Sequence, residues 1–306
     1  MVIATFADLG RSLKGQPPLR AAVAGAEDEA VLAALIDAMD LGLVSKATLT
    51  GNVAKLRAML PASRLDAFSL IEVADAATAS ALAVAEVRAG RADVLVKGTV
   101  DSPAYLKAIL SRESGLRAGP VLANLTIAEM PSVPRLIGAT DNGILPLPTL
   151  DQKRAILLAA VSLFSGLGVS PLRVAAIAAS EKISAAQPAT VDAQTLAAES
   201  RAGTLPGLIV DGPFGYDVAL SEAAAAKKGL AGSSVAGRAD LILFPSLEAG
   251  NATVKAWKLH GGARTGSLVL GATVPVLLNS RADGAEQRRL GLLLALAMRR
   301  GHDLGA

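Results

Sequence analysis

Asn279-Ser280-Arg281 follows directly on the strand-like run 274–278 and precedes a helix-like run that begins near Asp283. A hydroxyl and a guanidinium at such a junction have two uses. Ser280-x-x-Asp283 fits the Ser/Thr-x-x-acid signal that starts a helix. The same residues can hold an anion, because arginine grips phosphate through two parallel hydrogen bonds and a helix N-terminus presents unpaired N–H groups. Asp283, Glu286 and Gln287 stand at i, i+3 and i+4 and share one helical face. The two carboxylates there are general-base candidates.

Other strand ends carry similar residue types. Lys97-Gly98-Thr99, followed by Asp101, ends the run 92–97, and Lys107 follows in the next helical pattern. Asp211-Gly212-Pro213 ends the run 207–211, and Asp217 opens the next helical pattern. The run 240–246 leads into Glu248, Gly250, Asn251 and Lys255. In open α/β sheets ligands bind beyond the carboxyl ends of strands. Taken singly, each residue has a plain structural use: a tight turn for Gly98, Gly212 or Gly250, a helix cap for Thr99, Asp101 or Asp217, a solvated face for Lys255. Taken together, cations, hydroxyls and glycines beside helix starts describe a mouth suited to phosphate.

The elements that must position these residues alternate. Short Val/Ile/Leu-rich runs occur at 19–24, 92–97, 121–128, 172–179, 207–211, 240–246, 267–271 and 274–278. Helical patterns lie at 27–41, 75–89, 102–111, 151–165, 190–201, 216–228 and 283–300. Alternation of this kind predicts mostly parallel sheets covered by helices on both faces. Residues 121–145 break the rhythm, with Asp141-Asn142-Gly143 as a turn, and Pro146 and Pro148 mark a crossover into a second lobe.

Composition narrows the function. The 306 residues are 52% hydrophobic, with 30 basic against 27 acidic side chains interspersed and few aromatics, which argues against nucleic-acid binding. The absence of cysteine excludes disulfides and thiolate metal sites. With only His260 and His302, far apart in sequence, a zinc site or a Ser-His-acid triad is hard to assemble. No signal-peptide pattern opens the chain, and the most apolar stretch, 155–169, falls short of a membrane span. The expected location is the cytoplasm. GxGxxG after a strand and GxxxxGK[ST] are both absent, so the common dinucleotide and nucleotide phosphate loops are not supported.

The ordered segments go further. VDGPFGYDVALSEAAAAKKGLAGSSVAGRADLILFPSLEAGNATVKAW (210–257) and GSLVLGATVPVLLNSRADGAEQ (266–287) closely resemble the phosphate acyltransferases, the family of phosphate acetyltransferases and butyryltransferases. DVLVKGTVDSPAYLKAIL (93–110), ESGLRAGPVLAN (113–124) and PATVDAQTLA (188–197) resemble the butyryl branch.

The resemblance implies reversible transfer of a short acyl group between CoA and inorganic phosphate through a ternary complex. It implies a two-lobed α/β/α sandwich of the isocitrate dehydrogenase-like kind, with mostly parallel sheets and the active site in the interlobe cleft. The lobes would be 1–145 plus 271–306, and 146–270. It further implies a homodimer that acts on acyl-CoA, phosphate and acyl phosphate, with no tightly bound cofactor and no nucleic-acid or membrane partner.

By the same resemblance Ser280 bonds the thiol or developing oxyanion, and Arg281 holds phosphate. Glu286 takes the thiol proton, with Asp283 as helix cap or second base. Lys97, Gly98, Thr99, Lys107, Asn251 and Lys255 line the phosphate or CoA path; Asp211, Gly212 and Pro213 shape a turn, and Asp217 stays, from its place at a strand end, a further general-base candidate of the mouth. Two positions depart from the pattern. Lys107 stands where relatives often have Arg, and Glu286-Gln287 where the acetyl branch tends to carry an acidic pair. They keep open a catalytically weak CoA- or acyl-phosphate-binding protein or scaffold of the same fold. A metal- and nicotinamide-dependent dehydrogenase of the superfamily would need metal carboxylates and an adenine-ribose site, which the sequence does not clearly supply.

Overall fold

The computed structural model describes residues 3–280 and 282–305. The chain forms two compact units. The first comprises Leu13–Gly119 and Gly266–Ala297; the second comprises residues up to Ser12, Pro120–Thr265 and residues from Met298 on.

In the first unit the strands are β1 (Leu19–Ala24), β2 (Val44–Gly51), β3 (Phe68–Glu72), β4 (Val94–Lys97), β10 (Arg264–Leu270) from Gly266 on, and β11 (Val276–Leu277). They lie in the order β3-β2-β1-β4-β11-β10. Every pair is parallel except β10 with β11. Four crossover helices follow their strands: α2 (Glu29–Asp40), α3 (Val53–Met59), α4 (Ala76–Arg88) and α5 (Ser102–Leu110). Each starts because the preceding Asp or Asn accepts a backbone N–H of its first turn: Asp28 from Val31, Asn52 from Lys55, Asp75 from Thr78, Asp101 from Ala104. The strand order reverses between β1 and β4, the place where an open α/β sheet leaves a crevice at its carboxyl edge. Sequence periodicity anticipates neither β2 nor β3. β2 opens Val44-Ser45-Lys46, with two exposed polar residues in succession, and β3 is a five-residue edge strand.

The second unit holds β5 (Ala123–Met130), β6 (Val133–Thr140), β7 (Leu172–Ile177), β8 (Leu208–Phe214) and β9 (Leu241–Leu243), in the order β5-β6-β9-β7-β8. β5 and β6 form an antiparallel hairpin and the rest pair in parallel. The helices are α1 (Phe6–Ser12), α6 (Leu150–Gly166), α7 (Pro188–Arg201), α8 (Tyr216–Leu220), α9 (Glu222–Lys227) and α10 (Leu247–Leu259). α6 starts with a reciprocal capping box between Thr149 and Gln152. The single helix expected over 216–228 is broken at Ser221, whose hydroxyl caps α9 by accepting from Ala224 N–H at 3.2 Å. Ala128, Ile137, Ile242, Phe244, Val254 and Trp257 bury the face between the sheet and α10.

The expected lobe boundary near residue 145 falls inside the second unit, because β6 pairs with β9 and carries the hairpin with it. The last helix, α11 (Ala285–Asp303), counts with the first unit as far as Ala297. Among the described residues no helix is long and apolar enough to cross a membrane.

Candidate active site

In the first unit, Lys97, Gly98 and Thr99 form the end of β4 at the crevice. A Cβ on Gly98 would lie 1.8 Å from the Gly25 carbonyl oxygen, so only glycine allows the two backbones this close. Three bonds close the approach. Gly98 N–H donates to Ala24 C=O at 2.9 Å, and Thr99 donates to Gly25 C=O through its N–H at 2.6 Å and its hydroxyl at 3.1 Å. Thr99 therefore braces the turn, and Asp101 rather than Thr99 caps α5. The Lys97 side chain is only 5% exposed, an unusual burial for an ammonium, and donates to Gly98 C=O at 3.4 Å. Lys107 lies exposed on α5. Two residues earlier the buried Tyr105 hydroxyl donates to Leu277 C=O at 3.2 Å, which ties α5 to the end of β11. Burial pushes the Tyr105 phenol well above its ordinary pKa, so it stays a neutral donor.

Ser280 follows β11 and is exposed; Arg281 lies outside the described residues. Asp283 accepts Ser280 N–H at 2.9 Å and Asn279 Nδ2 at 3.3 Å, and Ser280 Oγ accepts Ala282 N–H at 3.3 Å. These bonds tie Asn279 and Ser280 to Ala282 and Asp283. They do not cap the helix, which corrects that expectation for Asp283: α11 begins two residues later, at Ala285. Gln287 starts it, its Oε1 accepting Gly284 N–H at 3.1 Å in half of a capping box. The departure at Gln287 thus has a local structural use. Glu286 sits exposed in the first helical turn, where a carboxylate is favoured by the helix dipole.

Six expected residues fall in the second unit. Asp211, Gly212 and Pro213 lie within β8 rather than after it. The strand register shifts here, opposite 175–177 of β7, and Gly212–Pro213 is a cis peptide. Asp211 accepts the Ser233 hydroxyl at 2.6 Å, and Ser233 Oγ in turn accepts N–H from Val235 and Ala236, both at 3.1 Å. Asp211 is a loop anchor. Asp217 is in the first turn of α8, behind Gly215 as N-cap, with its carboxylate 3.6 Å from Lys228 Nζ. On α10, Asn251 Nδ2 donates to Asn142 C=O at 3.1 Å, and Lys255 is exposed one turn further on.

Two features escape the sequence reading of the site. Asp141, read only as part of a turn, is 1% exposed and accepts four backbone N–H groups, from Asn124, Gly143, Ile144 and Leu145. Burial pushes its carboxyl above the ordinary range in spite of those bonds. Around it Asn124 Nδ2 donates to Asn142 Oδ1 and Asn142 Nδ2 to Thr126 Oγ1, both at 2.8 Å. This network fixes the carbonyl that holds Asn251. The other feature is Arg288, buried on α11 and bonded to the Lys97 carbonyl. Its phase is the available signal, since it shares a helical stripe with the buried Leu292 and Ala295.

His260 and His302 are both exposed, and among the described residues no group of three or more His, Asp or Glu could hold a metal ion. The arrangement offers a buried ammonium, an exposed hydroxyl on a pinned turn and a carboxylate at a helix start. Such groups stabilise a negatively charged transition state and move one proton.

Residues 73–295 match the family model described as phosphate acetyl/butaryl transferase. The chain is 35% identical over 292 residues to a phosphate butyryltransferase from Clostridium beijerinckii, covering 95% of this chain and 96% of the relative. It is 37% identical over 217 residues to a phosphate acetyltransferase from Thermotoga maritima, covering 71% and 74% of the two chains. Among solved structures, a branched-chain phosphotransacylase from Enterococcus faecalis V583 matches with a TM-score of 0.82 and 25% identity, covering 92% of this chain and 98% of that one. The chain belongs to the phosphate acetyl/butaryl transferase family.

Proposed function

We propose that this protein catalyses reversible transfer of a short-chain acyl group, acetyl to butyryl, between CoA and inorganic phosphate. The observation that carries the reading is the family match over 73–295, which takes in both the Lys97 strand end and the Ser280 turn. In the forward direction a phosphate oxygen attacks the thioester carbonyl carbon. The new C–O bond forms, the C–S bond breaks, and the departing thiolate takes up one proton. In reverse the CoA thiol gives that proton to a carboxylate and attacks the acyl phosphate. Both substrates are held together and no covalent enzyme intermediate is needed, so positioning and charge stabilisation supply the rate.

Within this reading Ser280 hydrogen-bonds the thiol or oxyanion, and Arg281 grips the phosphate and the charge that develops on it. Glu286, exposed in the first turn of α11, is the base, with Asp283 as a second base. Lys97, Lys107, Asn251 and Lys255 line the phosphate and CoA path; Gly98 and Thr99 shape it. Asp211, Gly212, Pro213 and Asp217 support it as scaffold. CoA is a substrate rather than a resident cofactor. A homodimer in the cytoplasm belongs to the same proposal.

Release of free CoA from acetyl-, propionyl- and butyryl-CoA, with phosphate added or withheld, tests it. Phosphate-dependent release that vanishes in Arg281→Ala is the expected outcome, and the three rates rank the acyl chains. Absence of release from folded protein that still binds CoA would replace the enzyme with a binding protein or scaffold.

A further inference from the structure

Arg288 is a buried charge that the chemistry above does not use. It is 3% exposed. One terminal nitrogen donates to the Lys97 carbonyl at 3.3 Å, the other lies 3.7 Å from an Asp28 carboxylate oxygen, and Nε has no partner among the described residues. A guanidinium carries five N–H donors and keeps its charge at any working pH. One long hydrogen bond and one long ion pair compensate poorly for removing it from water, so the contacts are not explained as a source of stability. They do join three segments remote in sequence: Asp28, which caps α2, Lys97 at the end of β4, and the opening turns of α11. Gly25 and Ala24 brace the β4 terminus from β1, and Arg288 reaches the same terminus from the helix.

We infer that Arg288 is a positioning residue of the acyl-transfer site, holding the backbone of Lys97, and through it Gly98 and Thr99, in register with the helical turn that carries Glu286. The inference rests on the function proposed above. Its physical basis is that displacement of reacting groups by about 1 Å can cost up to about a hundredfold in rate while leaving a fold intact. Asp28 keeps access to water with 29% of its side chain exposed, so losing the guanidinium does not strand a buried carboxylate.

The experiment uses the full chain and the phosphate-dependent CoA-release assay, with Arg288→Met and Arg288→Lys. Methionine fills comparable space without charge or donors. It should leave the melting temperature within a few degrees and CoA affinity within about threefold, while kcat falls at least about tenfold. Lysine keeps one donor for the Lys97 carbonyl but loses the fork, and should recover part of kcat. A folded Arg288→Met protein with native kcat and native KM for phosphate overturns the inference. If that variant does not fold, Arg288→Lys decides: native kcat overturns the inference, and reduced kcat at native melting temperature and CoA affinity supports it. An inactive wild-type protein would remove the proposed function and this inference together, whereas an active wild type with an unaffected Arg288→Met removes the inference alone.

Discussion

Polar residues around the strands of the two units are used differently. In the second unit Asp211 is bonded to Ser233, Asn251 to the Asn142 carbonyl, and Asp141 to four backbone N–H groups. Those side chains build loops. In the first unit Ser280 lies exposed with one 3.3 Å bond to its hydroxyl, and Glu286 is exposed at a helix start. Beside the β4 terminus sit two buried cations, Lys97 and Arg288. A carboxylate or amide at a strand end is therefore weak evidence of chemistry until its bonds are counted. Geometry, rather than residue type, separates scaffold from site.

The sharpest way to break this comparison is Asp141→Ala, which takes the acceptor from the buried Asn124 N–H, at about 1–3 kcal/mol for such a donor, and from three part-buried N–H groups at Gly143, Ile144 and Leu145. It should lower unfolding free energy by at least about 3 kcal/mol in denaturant titration. A neutral result would mean the 141–145 turn is held otherwise. Next comes Ser280→Ala, which removes one exposed hydroxyl. Stability should be unchanged and kcat for acyl transfer should fall by about a hundredfold, the scale of a lost oxyanion donor. An unfolding effect without a rate effect would reverse the roles assigned to the two units. Asp211→Asn should cost only about 1 kcal/mol by weakening the Ser233 anchor, with kcat within threefold of native; a larger kinetic loss would make Asp211 part of the chemistry. The smallest effect is expected from Lys107→Arg. Restoring a planar fork should lower the KM for phosphate about two- to threefold if Lys107 meets phosphate, and leave it unchanged if it does not.

Much of the fold was legible because it rests on local signals. Apolar runs marked β1, β4 and β7, and the helical pattern over 151–165 marked α6. β2 was not legible because Ser45 and Lys46 interrupt its apolar pattern, and its burial comes from pairing with β1 and β3. The residue types of the candidate site were legible at junctions. What each type does was less so, because that depends on neighbours remote in sequence. Asp283 fits a capping signal at Ser280, yet the helix opens from Gly284 and Gln287. For Arg288 the helical phase shared with Leu292 and Ala295 is the one local signal, and its bond to the Lys97 carbonyl depends on tertiary packing.

The contact between Gly98 and Gly25 sets a boundary for redesign. Libraries that vary surface positions can take in Lys107 or Lys255, which are exposed. Position 98 admits no such variation. Any side chain there meets the Gly25 backbone at 1.8 Å, and the sheet would have to part along β1 and β4 to admit it. A screen that randomises residues 97–99 as a block would spend about nineteen of every twenty members, under equal amino-acid sampling, on proteins that cannot close this crevice.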